Sequence, residues 1–189
     1  MAALRKASTY SKMKVCPYTR ISRKKNRAYI KVVPPQKIVK FTMGNTKLYN
    51  SGSFPHLITV ITTENIQIRH NALEAVRQNI HRRLDKEFPG QYYFKVIPFP
   101  HHIQRENKML TGAGADRMQT GMQLSFGKCV GKAALIKKGH AIFMLALANE
   151  KILVKTREYI KQVKPKLPCK IRVLYEYHKP EVSSISQEQ

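Results

Sequence analysis

No aspartate or glutamate precedes Glu64, and this one-sided charge limits how the chain can fold more than any other feature. Over the whole sequence, 35 Lys and Arg stand against 11 Asp and Glu, which gives a formal net charge of +24. A surface with that excess repels itself, and a polyanion relieves the repulsion by releasing its condensed counterions. Hydrophobic residues make up 42% of the 189 residues, which predicts a folded core and excludes wholesale disorder. On charge alone, RNA, DNA and anionic lipid are all open as partners.

A membrane is the least favoured of these partners. The longest apolar run, Ala141 to Ala148, is far shorter than the roughly 20 residues of a membrane-spanning helix. The N-terminus also lacks the apolar segment of a secretory signal, so we expect the protein to stay in the cytoplasm. Cys16, Cys129 and Cys169 are odd in number and far apart, which favours a reducing compartment over a disulfide framework or a zinc site. We expect neither a metal nor a cofactor.

Composition divides the chain into three parts. Residues 1–36 are predicted to form a basic extended arm, residues 37–177 an α+β RNA-binding domain, and residues 178–189 a polar tail. Two helices among several strands predict a mostly antiparallel sheet with both helices on one face. The other face, the long arm and a long loop would then be free to face RNA.

The arm combines a single charge sign with Tyr10, Tyr18 and Tyr29 and with several prolines. This combination is typical of a segment that lies extended over RNA and orders on binding, whereas a tail kept only for solubility seldom has spaced aromatics. The predicted RNA contacts in the arm are Arg20, Arg23, Lys24, Lys25 and Arg27.

Helical spacing of apolar residues predicts two helices. The first runs from Glu64 to Lys86, with Thr63 as N-cap and Pro89-Gly90 as its end. The second runs from Glu150 to about Val163, with Asn149 as its cap. Alternation and β-branching predict the strands Ile38–Phe41, Leu57–Thr63, Tyr92–Ile97, Ala133–Lys137, His140–Leu147 and Cys169–Tyr175. Lys138-Gly139 is predicted to join two of these strands as a hairpin, and a loop is expected from Gly44 to Pro55.

The segment from His101 to Gly121 has almost no apolar periodicity, and a connection of this length inside a domain is usually functional. Gly112 and Gly114 fit neither the dinucleotide fingerprint nor the P-loop, but they allow another backbone to approach closely. Around them, cationic side chains can meet phosphates and amides can meet base edges or ribose hydroxyls. The predicted contacts here are Arg105, Asn107, Lys108, Gly112, Gly114, Arg117 and Gln119.

An acid-base site is the alternative for the same loop, built from His101, His102, Glu106 and Asp116. It is disfavoured because adjacent histidines on an extended chain point in opposite directions and lack the i, i+4 spacing of a helical metal site. Two further basic clusters favour phosphate contact over a merely solvated face. One contains Lys128, Lys132, Lys137 and Lys138, and the other contains Lys151, Lys155, Arg157, Lys161, Lys164 and Lys166.

Several motifs resemble one known family. The runs are PHHIQRENK from Pro100, TGAGADRMQTGM from Thr111 and FGK from Phe126, with supporting matches at Pro17–Arg20, Lys37-Ile38, Phe41–Asn45 and Gln67–Ala75. They resemble the archaeal and eukaryotic large-subunit ribosomal protein ten-e family, the counterpart of bacterial large-subunit protein sixteen. The similarity spans roughly Tyr10 to Tyr175.

The resemblance implies an α+β sandwich and a structural constituent of the large ribosomal subunit that catalyses nothing. It implies contact with large-subunit rRNA beside the peptidyl-transferase centre and with the elbow of bound tRNA, close to the small ribosomal RNA of that subunit and to neighbouring ribosomal proteins. The loop at 101–121 would reach towards the tRNA acceptor end. Within the matching motifs and the basic clusters, the further expected RNA contacts are Arg69, His70, His101, His102, Lys128 and Lys132.

Two other classes of protein share these electrostatics. An RNA-modifying enzyme or a free translation factor would use Asp116 or His102 as its reactive group. A DNA-packaging protein would bind duplex DNA at least as well as folded rRNA, whereas a loop of this kind favours irregular RNA with splayed bases.

Overall fold

The computed structural model describes residues 6–11, 17–19, 30–106 and 128–178, and these residues form an α+β fold with antiparallel sheets, as predicted. The helices are α1 (Thr46–Asn50), α2 (His70–Glu87) and α3 (Glu150–Val163), followed by a 3₁₀ turn at Lys164–Lys166. The strands are β1 (Thr42–Gly44), β2 (His56–Thr62), β3 (Ile66–Arg69), β4 (Tyr92–Val96), β5 (His102–Glu106), β6 (Lys128–Ile136), β7 (Ala141–Leu147) and β8 (Ile171–Tyr177).

A five-stranded sheet with the order β1-β4-β7-β2-β8 forms one side of the core. Residues directly opposite each other share a sheet face, so Ile58, Leu145 and Phe94 form one row across three strands. All three are 0% exposed. Helices α2 and α3 cover this face, and each large apolar side chain buried there contributes roughly 1.5–3 kcal/mol.

The strands β3, β6 and β5 form a second, three-stranded sheet in that order. Ile66 and Ile68 lie opposite Ile136 and Ala134, and all four belong to the same apolar core as the larger sheet. The prediction of one sheet is therefore corrected to two sheets that share a core.

The predicted start of the first helix is wrong. Ile66 and Ile68 are buried while Gln67 and Arg69 are partly exposed, the alternation of a strand. The helix begins only at His70, and Arg69 takes the N-cap position without a side-chain capping bond. Because Ile66 also lies seven residues before Leu73, the same apolar residues fit both a strand and a helix, and pairing with β6 decides between them.

The predicted hairpin at Lys138-Gly139 is also wrong, since β6 and β7 belong to different sheets. The turn is held by the neighbouring β2–β3 connection instead. The Gly139 N–H donates to the Thr62 carbonyl at 2.8 Å, and the Lys138 N–H donates to Asn65 Oδ1 at 2.8 Å. The β2–β3 and β6–β7 connections therefore cross from one sheet to the other side by side, and these hydrogen bonds join them.

Three shorter corrections concern loops and strand ends. Ile38–Phe41 is not a strand, although Ile38 is buried in the core, and the strand lies at β1. Helix α1 occupies part of the loop predicted from Gly44 to Pro55, with Asn45 accepting a hydrogen bond from the Leu48 N–H. Strand β5 occupies the start of the loop predicted from His101 to Gly121. Helix α3 has the predicted bounds, but the side chain of its N-cap, Asn149, makes no capping bond.

Gly44 ends β1 where it presses against β4. It has φ of +85°, and a Cβ added there would lie 2.2 Å from the Tyr92 carbonyl oxygen. Gly44→Ala should therefore lower the free energy of unfolding by well over the roughly 1–2 kcal/mol that a left-handed backbone costs an L residue. Equilibrium urea denaturation measures the loss.

Gly52→Ala is the matched control, because Gly52 has φ of +71° and nothing lies within 4 Å of its added Cβ. Equal losses in the two variants would contradict the close approach of Gly44 to Tyr92.

Candidate nucleic-acid interface

The three-stranded sheet brings the described candidate RNA contacts together. Arg69 and His102 both lie opposite Ala133, so they share one face of the sheet from its two outer strands. Lys132 lies opposite Ile103 on the other face, and Lys128 lies opposite Glu106 at the far end of the sheet. His70 follows β3 directly, and His101 directly precedes β5. Residues far apart in the sequence are thus gathered around one small sheet.

The N-terminal end of α2 adjoins this sheet and concentrates positive charge. No acidic residue lies in the first turn of the helix, and no side chain caps it, so the positive end of the helix dipole is uncompensated. Lys37, Arg69 and Lys132 add their charges around His70. Four sources of positive potential therefore meet at one place, which suits a phosphate group.

His70 itself is an interior residue. Its side chain is 3% exposed, and a Cβ added to Gly131 would lie 3.2 Å from its Nε2, so the ring packs against the backbone of β6. Burial, followed by the charges of Lys37, Arg69 and Lys132, lowers the pKa of His70 to about 4. The ring is therefore neutral at physiological pH, and the cations around it carry the charge of this region. His70 is therefore a packing residue beneath the surface and not an exposed ligand.

Tyr18, from the arm, organises the opposite edge of the sheet. The Ile103 N–H donates to its carbonyl at 2.8 Å, and its own N–H donates to His102 Nδ1 at 3.0 Å. The Arg105 guanidinium lies 3.7 Å from the centre of the Tyr18 ring, within cation–π distance. The charge and aromatic pattern of the arm indicated RNA and gave no sign of this contact with the domain.

His102 is held in one protonation state by this arrangement. Because Nδ1 accepts a backbone hydrogen bond, the neutral ring carries its proton on Nε2. Burial, then the charges of His101 and Arg105, lowers the pKa of His102. The ring can donate a hydrogen bond through Nε2, but its basic nitrogen is occupied, which disfavours the general-base role.

The arm also contacts the other edge of the sheet. The Gln67 N–H of β3 donates to the Ser11 carbonyl at 3.0 Å, and Gln104 Nε2 donates to Gln67 Oε1 at 3.3 Å. Residues 7–10 form a hydrogen-bonded turn, with Tyr10 at φ of 61°. Contacts from the arm thus occupy both outer strands, which would otherwise be open to pairing with another chain.

The other predicted contacts lie outside the described residues. They are Arg20, Arg23, Lys24, Lys25, Arg27, Asn107, Lys108, Gly112, Gly114, Arg117 and Gln119. Lys37 was missed as a contact because it lies far from Arg69 and Lys132 in sequence, and only the fold brings the three together.

Glu74, Cys129 and Cys169 are acidic and thiol groups that could be taken for reactive residues. Burial alone would raise the pKa of Glu74, but hydrogen bonds from Arg77 and Gln78 outweigh it and lower the pKa. Cys129 and Cys169 are free, and burial raises the pKa of Cys169 to about 11, which leaves an unreactive thiol. Within the described ranges, no group of three or more His, Cys, Asp or Glu could hold a metal ion. No helix there is long and apolar enough to cross a membrane.

Comparison with known proteins identifies the family. A family model described as ribosomal protein L16p/L10e matches residues 17–174. The chain belongs to this family. The match confirms the resemblance seen in the sequence motifs, and it confirms the prediction of a structural ribosomal protein that is not an enzyme.

Similar proteins are found in archaea under the name large ribosomal subunit protein uL16. The protein of Hyperthermus butylicus is 43% identical over 158 residues, covering 83% of this chain and 82% of the relative. The protein of Methanoculleus marisnigri is 40% identical, covering 90% and 94% of the two chains. The protein of Sulfolobus acidocaldarius is 38% identical, covering 98% and 97%.

The neutral, buried state of His70 predicts a pH dependence of stability. Its pKa is about 4 in the folded protein and about 6.5 in the unfolded chain, so acidification protonates the unfolded chain first. The free energy of unfolding contributed by this group is complete above about pH 6.5 and falls as the pH drops from 6.5 towards 4. Urea denaturation across this range measures the slope.

His70→Gln should make that slope shallower because this titrating group is gone, whereas His102, whose pKa is also lowered, keeps its own contribution. His140→Gln, at an exposed histidine of the β6–β7 turn, is the matched control and should keep it. The same slope in both variants would show that another group is responsible.

Proposed function

We propose that the chain is anchored in the large ribosomal subunit through rRNA contacts at the three-stranded sheet and the adjoining N-terminal end of α2. As a member of the L16p/L10e family, it is a structural constituent of the large ribosomal subunit and acts in the cytoplasm, on the ribosome. Its partners as a family member are rRNA and neighbouring ribosomal proteins.

The observation that carries the proposal is the uncompensated charge at the start of α2. Lys37, Arg69 and Lys132 surround a helix end that has no acidic residue in its first turn. A cation cluster with no acidic residue in the adjoining helical turn is destabilising in the free protein and is relieved by a phosphate. Phosphate contacts fix position and orientation on the RNA, as a structural protein requires.

The finer placement is also part of the proposal. We infer that the chain lies beside the peptidyl-transferase centre, near the small ribosomal RNA of that subunit, and contacts bound tRNA. The support is the motif between His101 and Met122, whose glycines and polar residues suit a loop that approaches an RNA backbone closely. Arg105 and His102, ordered by Tyr18 at the base of this loop, would set its direction. The division into an arm, a domain and a tail remains part of this proposal.

Removing the cations at the start of α2 tests the rRNA contact. The double variant Arg69→Ala with Lys132→Ala should weaken binding of the full-length chain to protein-free large-subunit rRNA. The dependence of log affinity on log salt concentration should become shallower by about one unit for each lost phosphate contact. Filter binding over a series of KCl concentrations measures both quantities.

The double variant Lys47→Ala with Lys86→Ala removes the same charge from α1 and from the last turn of α2, and it is the control. Equal effects of the two double variants would mean that only net charge matters. Duplex DNA that competes as well as irregular RNA would instead support a DNA-packaging protein.

Directed cleavage tests the loop placement. With Cys16, Cys129 and Cys169 changed to Ser, Ala113→Cys would carry a tethered iron chelate on the assembled large subunit. Hydroxyl radicals released there should cut rRNA of the peptidyl-transferase centre and the acceptor end of bound tRNA. The same chelate at Lys47→Cys should give a different pattern, and cleavage from position 113 confined to distant rRNA would overturn the placement.

A further inference from the structure

The β8 edge of the five-stranded sheet carries exposed aromatic residues that none of the contacts above involve. Strand β8 is the outermost strand, and Tyr175 and Tyr177 are 41% and 60% exposed. Both lie on the sheet face that α3 covers, because Tyr175 is opposite the fully buried Ile58 and Tyr177 is opposite His56. Large aromatic side chains left exposed in a row at an edge point to a binding role more than to packing.

The planar groups at this edge form a continuous row. The Arg157 guanidinium lies 5.5 Å from the centre of the Tyr175 ring. The Tyr175 and His56 rings are stacked with centres 6.0 Å apart, and their Oη and Nδ1 atoms are 2.8 Å apart. His56 then meets Tyr177 with ring centres 5.4 Å apart. Tyr177, which is 60% exposed, ends the row.

The charged side chains beside this row of planar groups indicate what kind of ligand it would bind. Arg157 lies on α3 in line with Val154 and Lys161, one turn before and one turn after it, and Val154 is 53% exposed. Arg157 and Lys161 supply positive charge beside the rings, whereas Arg172 and Glu176 alternate with Tyr175 and lie on the opposite face of the sheet. Cationic side chains beside stacked rings suit nucleotides, whose bases stack and whose phosphates pair with Lys and Arg.

We propose that the row Arg157, Tyr175, His56 and Tyr177 is a stacking platform for an unpaired nucleobase of RNA, with Tyr177 as the residue on which the base stacks. This inference rests on the RNA-binding role proposed above but concerns a separate surface. The platform reads no particular base, because every base offers an aromatic face.

Photocrosslinking of the full-length chain tests the platform. The probe is a 12-nucleotide single-stranded RNA containing 4-thiouridine, and mass spectrometry maps the crosslinked residues. Crosslinks are expected at Tyr177 or His56. Tyr177→Ala should weaken binding of this RNA by about five-fold or more, the effect of losing one stacked base. The salt dependence should stay unchanged because no charge is removed.

Two further variants make the result specific. Tyr177→Trp keeps an aromatic face and should retain or strengthen binding, whereas a purely structural role for the tyrosine would predict a loss. Leu48→Ala, at a 41% exposed residue of α1, is the control and should leave binding unchanged.

The outcomes also separate this inference from the proposed function. Normal binding by Tyr177→Ala, with crosslinks confined to the arm or the three-stranded sheet, would overturn the platform alone and leave β8 as an edge for a protein strand. If the Tyr177 variant and the Arg69 and Lys132 double variant both bound RNA normally, that result would count against the platform and against the proposed function.

Discussion

Packing of α2 against both sheets is the interaction on which the rest of the structure depends. Leu73, Val76, Ile80 and Leu84 are at most 1% exposed and form one face of the helix. The helix leaves β3 without a connecting loop, so the pairing of β3 with β6 fixes where the helix starts. A shift of one residue in that pairing would turn Ile66 and Ile68 out of the core. The same shift would move Arg69 and His70, so the core that stabilises the fold also positions the proposed rRNA contact.

One buried ion pair, between Glu74 and Arg77, lies close to the cation cluster at the start of α2. Glu74 is 8% exposed and meets Arg77 in a two-point contact, with further hydrogen bonding from Gln78. This buried pair is locally neutral, whereas the cations at the start of the same helix have no such partner among the described residues. The buried pair and the cation cluster, which lie close together at the start of α2, therefore have different roles. The pair holds the helix against β1, where Arg77 also reaches Met43, and the unpaired cations remain available to a phosphate.

The sequence predicted the class of fold, the second helix, most of the strands and the family, but not how the strands assemble. Periodicity could not separate strand from helix at Ile66 and Ile68, because both patterns bury the same residues. It also could not show that the turn at Lys138-Gly139 joins two sheets, since the hydrogen bonds to Thr62 and Asn65 that hold it come from far along the chain. The site was limited in the same way. The family motif identified Arg69 and a basic cluster identified Lys132 as candidates, but only the fold brings Lys37 beside them and buries His70.

The two proposed RNA contacts lie in different sheets that share one core, and this separation bears on how the protein would act. Strand β8 begins opposite Thr62, at the place where the chain passes to the three-stranded sheet. Tyr177 lies six residues further along, roughly 20 Å away at the rise of an antiparallel strand. One RNA helix with its unpaired neighbour, or two separate RNA segments, can therefore be held at once. After the first contact forms, the second becomes intramolecular, so two modest contacts give strong retention without a large interface at either. For a protein that must remain in a particle made mostly of RNA, rigid spacing between contacts matters as much as the strength of each.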